Sequence, residues 1–271
     1  MTSESTHTPA SESDLITTRR EGHVLWIGFN RPKERNAFNT EMLIALSDAY
    51  TMLERDPEIR CGIVYAEGKQ FTLGLDLPDV SATLQKERKL PLRDGHLDPW
   101  GVTGPKRYTP VIVAVHGMCF TLGIELMLAA DIRLCEPRSI FGQIEVQRGL
   151  VPFGGATTRF PRLSGWGNAM RYLLTGDTFD ATEAYRIGLV QEIVDKSELL
   201  NRALELANRI AEQAPLGVRA TMELARLADL QGPDVAASQL LPKALELMAT
   251  EDAREGVQSF VEKRKAVFRG K

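Results

Sequence analysis

Residues 110–135 read PVIVAVHGMCFTLGIELMLAADIRLC, and this stretch decides the fold. Val111 to Val115 is a continuous β-branched and apolar run of strand length, as a strand covered on both faces requires. After a short turn, LGIELMLAA is apolar on every side and reads as a buried helix. DIRLC then reads as a second strand. Two strands joined through a helix form the unit of a largely parallel sheet, because parallel neighbours need a crossover.

The same rhythm extends outward. Residues 23–30 (HVLWIGFN) and 60–66 (RCGIVYA) read as strands. Between them, Met42, Leu43, Leu46, Ala49, Tyr50 and Leu53 recur at helical spacing. FTLGLDL at 71–77 is a glycine-containing loop opening into another helix. Residues 86–108 are rich in charge, Gly and Pro and read as a mobile loop or lid with short helical pieces. Beyond Gly155 the chain turns helical, over 166–174, 181–186, 198–213, 216–230, 234–249 and 251–265, with a brief strand at 190–194. Residues 1–20 are expected to be a disordered polar tail.

Of the 271 residues, 43% are hydrophobic and 25% charged, with a formal net charge of -3, enough for a sizeable core and too evenly balanced for a broad nucleic-acid-binding face. The three cysteines, Cys61, Cys119 and Cys135, lack metal-ligand spacing and read as buried reduced thiols. Neither a signal peptide nor a run long enough to cross a bilayer is visible. These features suggest a cytoplasmic protein without a metal or nucleic-acid partner.

Two carboxylates carry the chemical signal. Glu125 sits among apolar neighbours, where a carboxylate either gains a partner or holds its proton to higher pH. It reads equally as a general acid–base group or as a helix-start carboxylate satisfying free N–H groups. Glu145 follows in FGQIEVQRGLVPFGG, in a loop-like stretch, and its plainer reading is a solvated partner of Arg148. Leu73-Gly74-Leu75-Asp76 and Thr121-Leu122-Gly123 are loop-to-helix junctions whose free N–H groups can meet a developing anion. His116 reads as a hydrogen-bonded turn residue. Gly154-Gly155 lacks the rest of a phosphate loop.

Taken in order, NRPKERNAFN at 30–39, FTLGLDL at 71–77, PVIVAVHG at 110–117, LGIELMLAADIRL at 122–134, FGQIEVQRGLVPFGGATTRFPRLSG at 141–165, LLTGDTFDATEAYRIGLVQEIV at 173–194 and REGVQSFVEKRKAVF at 254–268 resemble the crotonase (enoyl-CoA hydratase/isomerase) superfamily. The resemblance implies an α/β spiral of repeated ββα units over 21–200, holding the active and CoA sites. It also implies a C-terminal helical region over 201–271 that builds a homotrimer or hexamer. Glu125 and Glu145 match the glutamates that hold the reacting water in hydratases. The N–H groups of Leu75 and Leu122 match the oxyanion hole. Arg35, Asn36, Ala37 and Phe38 match the segment lining the CoA site through its backbone. Phe260 and Lys263 resemble a C-terminal pair that reaches CoA. The implied reaction is reversible hydration of a 2-enoyl-CoA, with CoA carried by the substrate and no separate cofactor.

The chain departs from the family pattern at Thr121-Leu122, where a glycine run is usual. It departs again at Leu73 and Leu75, where small residues are usual, and at Ile144, where proline is common. Trp100 and Leu97, in the variable stretch, read either as acyl-pocket residues or as side chains packing the loop onto the core. A double-bond isomerase needs only one carboxylate. A non-catalytic acyl-CoA-binding or RNA-binding homologue would not need the pair.

Overall fold

The computed structural model describes residues 14–271. Its strands and helices follow in the order β1 (Ile16–Glu21), β2 (Val24–Phe29), α1 (Thr40–Arg55), β3 (Cys61–Ala66), α2 (Leu77–Glu87), β4 (Val111–Val115), β5 (Met118–Phe120), α3 (Leu122–Ala129), β6 (Ile132–Cys135) and β7 (Ile140–Gly142). Then come α4 (Ala156–Ser164), α5 (Trp166–Thr175), β8 (Thr178–Asp180), α6 (Ala181–Arg186), β9 (Glu192–Ile193), α7 (Leu199–Ala211), α8 (Pro215–Gln231), α9 (Pro233–Met248) and α10 (Glu251–Glu262). A six-stranded sheet runs β1-β2-β3-β4-β6-β9, and a three-stranded sheet runs β5-β7-β8.

The large sheet is parallel except at its edge, where β1 pairs antiparallel with β2. Residues 16–20, assigned to the tail on composition, therefore belong to the sheet. The charged residues of ITTRREG hide a strand whose solvent side is polar, as an edge strand tolerates. The part of the expected tail before residue 14 lies outside the described residues.

Side chains alternate across this sheet with period two. Leu25, Ile27, Phe29, Val64, Val111, Val113 and Val115 face the main core with the buried side of α1. Val24, Trp26, Cys61, Ile63, Ile112, Ala114 and Leu134 face α7 on the other side. Helix α7 offers Leu199, Ala203, Ala207 and Ala211, a stripe at a spacing of four whose small side chains let its backbone lie close to the strands. Helix α1 starts where Asn39 Oδ1 accepts from Met42 N at 2.9 Å, a side-chain N-cap. Trp100 and Leu97 are 0% and 4% exposed; they pack the 86–108 loop onto the core.

The C-terminal helices attach through charges. Arg219 on α8 donates to Glu54 Oε1 at 2.6 Å, and Glu54 Oε2 accepts from Tyr108 N and Thr109 N. Asp131 accepts from both Arg107 and Arg226. Leu230, Leu240, Leu241, Leu245, Met248, Val257 and Phe260 remain exposed along α8–α10. Among the described residues, no helix is long and apolar enough to cross a membrane.

Candidate active site

The site forms beyond the C-terminal ends of β3 and β4, where an open α/β sheet leaves a crevice. Two loops leave these strands side by side. Thr72 pairs with Cys119 as a parallel bridge; Thr72 N donates to Met118 O, and Phe120 N to Thr72 O. One residue before each candidate donor the loops touch: a Cβ on Gly74 would stand 1.7 Å from Thr121 Oγ1. Gly74 also has φ +91°, so glycine is required here on both counts.

Leu75 is held from three sides. Phe38 N donates to Gly74 O at 2.8 Å, and Asp76 N donates to Phe38 O at 2.9 Å. Gly74 N donates to Thr72 Oγ1 at 3.0 Å, while Arg31 pairs with Asp76 at 2.9 Å. Between these bonded neighbours, Leu75 N–H finds no protein acceptor among the described residues. Leu122 opens α3, so its N–H has no partner one turn back. Thr121, just before it, donates its N–H to Gly142 O at 2.9 Å and adopts φ 49°, ψ −116°. That conformation is costly for a β-branched residue.

Glu125 is 1% exposed, and its Oε1 accepts from Ala156 N at 3.0 Å. Gly154 lies against the same carboxylate; a Cβ there would stand 2.7 Å from Oε2. Burial pushes the Glu125 pKa up to about 7. The Ala156 N–H opposes the shift, the nearby Glu145 charge adds to it, and the Arg159 guanidinium tempers it. Glu145 opens a 3-10 turn, Glu145–Arg148, and is 9% exposed. Its Oε1 accepts from Gln143 Nε2 at 2.8 Å, and its Oε2 is buried without a partner among the described residues. Burial raises its pKa to about 7 as well. The solvated pairing with Arg148 is therefore overturned: Arg148 is exposed and the Glu145 side chain turns inward to Gln143. Both carboxylates have pKa values raised to about 7, and the Glu145 charge reaches Glu125, so each can take up or release a proton near neutral pH.

The expected CoA segment has a buried backbone frame. Arg35 and Asn36 take φ 52° and 55°. The fully buried Asn36 side chain donates to Glu67 O and Gln70 O and accepts from Arg31 N. Phe38 is also fully buried, Ala37 is half-buried and Arg35 is exposed. This leaves backbone, rather than the Asn36 and Phe38 side chains, to face a ligand. Phe260 is exposed on α10, and Lys263 caps that helix at φ 53°. No hydrogen bond or ion pair among the described residues joins either to 35–38.

Sequence reasoning missed Gln143, Gly154, Ala156 and Arg159. Gln143 stands two residues before Glu145, and the Gly154-Gly155 pair was read only for phosphate binding. Arg159 donates to Gly154 O and Gly101 O, each at 3.2 Å, bracing the turn that carries Ala156. His116 Nε2 meets Gly68 O at 3.0 Å, as a turn residue should. The three cysteines are buried and free. No metal-ligand cluster occurs among the described residues.

Residues 19–271 match the family model for enoyl-CoA hydratase/isomerase. The chain is 35% identical to a crotonyl-CoA hydratase of Syntrophomonas wolfei, over 96% of this chain and 98% of the relative. It is 33% identical to an enoyl-CoA hydratase of Mycobacterium tuberculosis, over 97% and 99% respectively. A solved probable enoyl-CoA hydratase/isomerase from Mycobacterium abscessus superposes with TM-score 0.92 at 50% identity, covering 95% of this chain and 99% of that one. The α/β architecture with appended C-terminal helices is thus the crotonase fold, and the chain belongs to the enoyl-CoA hydratase/isomerase family.

Proposed function

We propose that this protein adds water across the double bond of a 2-enoyl-CoA thioester, reversibly, to give a 3-hydroxyacyl-CoA. The observation that carries the reading is the buried pair Glu125 and Glu145, both with pKa raised to about 7, beside two loops whose Leu75 and Leu122 N–H groups find no acceptor among the described residues. The thioester carbonyl accepts from those two N–H groups, which are preorganised for the charge that develops there. Polarisation of the carbonyl makes C3 electrophilic.

Glu125 takes a proton from the water as its oxygen bonds to C3. The Ala156 N–H and the Arg159 charge favour its ionised form, as a base requires. Glu145 delivers a proton to C2 as the enolate collapses; its unpartnered Oε2 is the oxygen free to carry it. The π electrons of C2=C3 move onto the thioester oxygen and return to form the C2–H bond. One proton has entered Glu125 and one has left Glu145, so exchange within the pair or with solvent restores the resting state.

CoA supplies the substrate handle, held by the backbone of Arg35–Phe38 with Phe260 and Lys263 from the C-terminal helix, and no separate cofactor takes part. The exposed apolar side chains of α8–α10 support assembly into trimers or a hexamer. A cytoplasmic role in acyl-CoA and fatty-acid metabolism fits the same reading.

The test is a panel of 2-enoyl-CoA thioesters followed by loss of enoyl absorbance and product mass. Glu125→Gln and Glu145→Gln are measured alongside. Water addition abolished by either substitution is the expected result. A double-bond shift without mass change, lost only in Glu145→Gln, would assign isomerase chemistry instead. No turnover on any thioester that binds would refute the proposal.

A further inference from the structure

Trp100 lies in the 86–108 loop, yet it reaches both candidate carbonyl-binding loops. Its indole Nε1–H donates to Leu122 O at 2.9 Å. Its ring meets the ring of Phe38 edge-on, with centroids 5.7 Å apart and planes at 86°. Phe38 is the residue whose N–H and C=O bracket Leu75, by way of Gly74 O and Asp76 N. One side chain therefore touches residue Leu122 directly and the holder of Leu75.

The indole is itself held. Trp100 N donates to Asp98 Oδ1 at 2.9 Å, and Asp98 Oδ2 accepts from Val102 N and Thr103 N, each at 2.9 Å. Asp98 is 5% exposed and Trp100 fully buried. Packing alone asks only for an apolar ring here; a buried indole N–H also needs an acceptor. The acceptor it has is the residue whose own N–H faces the reaction. Thr121, on the other side of Leu122, is strained, so that side of the loop does not favour its own conformation.

We propose that Trp100 is a positioning residue that sets the separation of the Leu75 and Leu122 N–H groups. Carbonyl polarisation depends on both donors meeting one oxygen, so a brace spanning them acts on the transition state more than on binding. The proposal rests on the two N–H groups being the thioester-polarising pair.

The test separates that premise from the brace. A saturated thioester, butyryl-CoA labelled with carbon-13 at the carbonyl, cannot be hydrated, and its carbonyl stretch reads polarisation without turnover. In the unaltered protein the band moves to lower wavenumber on binding; failure to move would overturn the premise, and the proposal with it. With that shift present, Trp100→Phe keeps a ring but removes the N–H. The band then returns part of the way to its free position. kcat for 2-enoyl-CoA hydration falls about tenfold, the loss of roughly one hydrogen bond, with KM within about twofold. An unchanged band and kcat in a folded Trp100→Phe variant would overturn the brace. Should that variant not fold, Phe38→Leu loosens the other end and is expected to lose part of the band shift; a full shift there would equally overturn it.

Discussion

Adding one methyl group at residue 154 is the sharpest probe of the Glu125 cradle. A Cβ on Gly154 would stand 2.7 Å from Glu125 Oε2, 2.8 Å from Leu122 Cδ2 and 3.0 Å from Glu125 Cδ. Ordinary van der Waals contact begins near 3.4 Å, so the carboxylate must retreat by about 0.7 Å, the difference of 3.4 and 2.7. It cannot retreat freely, because Oε1 is bonded to Ala156 N and the side chain is buried. Gly154 does not have a left-handed φ, so alanine is acceptable to the backbone and the effect belongs to the methyl group. A displacement approaching 1 Å at a reacting group costs on the order of 100-fold, and Gly154→Ala is expected to lower kcat by roughly 10- to 100-fold. The overpacking itself costs about 1–3 kcal/mol of stability. Initial rates from enoyl absorbance and urea denaturation measure the two effects. Gly167→Ala on α5, with nothing within 4 Å of its Cβ, serves as the silent control. A folded Gly154→Ala variant with unaltered kcat would refute the cradle.

Four further outcomes are expected. Since hydration needs one carboxylate charged and the other protonated, kcat should follow a bell centred near pH 7. Both glutamates have pKa values raised from 4.5 to about 7, so the folded state favours their protonated forms. Their contribution to stability is fully present below pH 4.5 and is lost as pH rises through about 7. Glu125→Gln should therefore gain up to about 3 kcal/mol over the parent at pH 8 and little at pH 4.5, as denaturant titrations at the two pH values would show. Thr121→Gly relieves the φ 49°, ψ −116° backbone and should stabilise the fold by about 1 kcal/mol, visible as a raised urea midpoint; a lowered midpoint would argue against strain there. Gln143→Leu removes the amide that donates to Glu145. It should move the acidic group's apparent pKa upward, because the ionised form loses a donor, and lower kcat about tenfold in a pH–rate series.

The sequence by itself determined the framework. Apolar runs of strand length and helical periodicity pointed to strands within 23–30, 60–66 and 111–117 and to helices over 41–55 and LGIELMLAA, each within a few residues of the observed elements, because periodicity is a local consequence of which face meets the core. Ordered motifs likewise carried the family, and the Glu125–Glu145 pair came only as what that resemblance implies. Composition misled at 16–20, where an edge strand needs few apolar residues, and at Glu145, where a glutamate beside Arg148 looks solvated until the turn buries it. Only the tertiary structure decided what holds the site. Ala156 reaches Glu125 across 31 residues, and Trp100 reaches Leu122 across 22. Which N–H meets which oxygen over such separations depends on the packing of whole elements, and no local spacing encodes it.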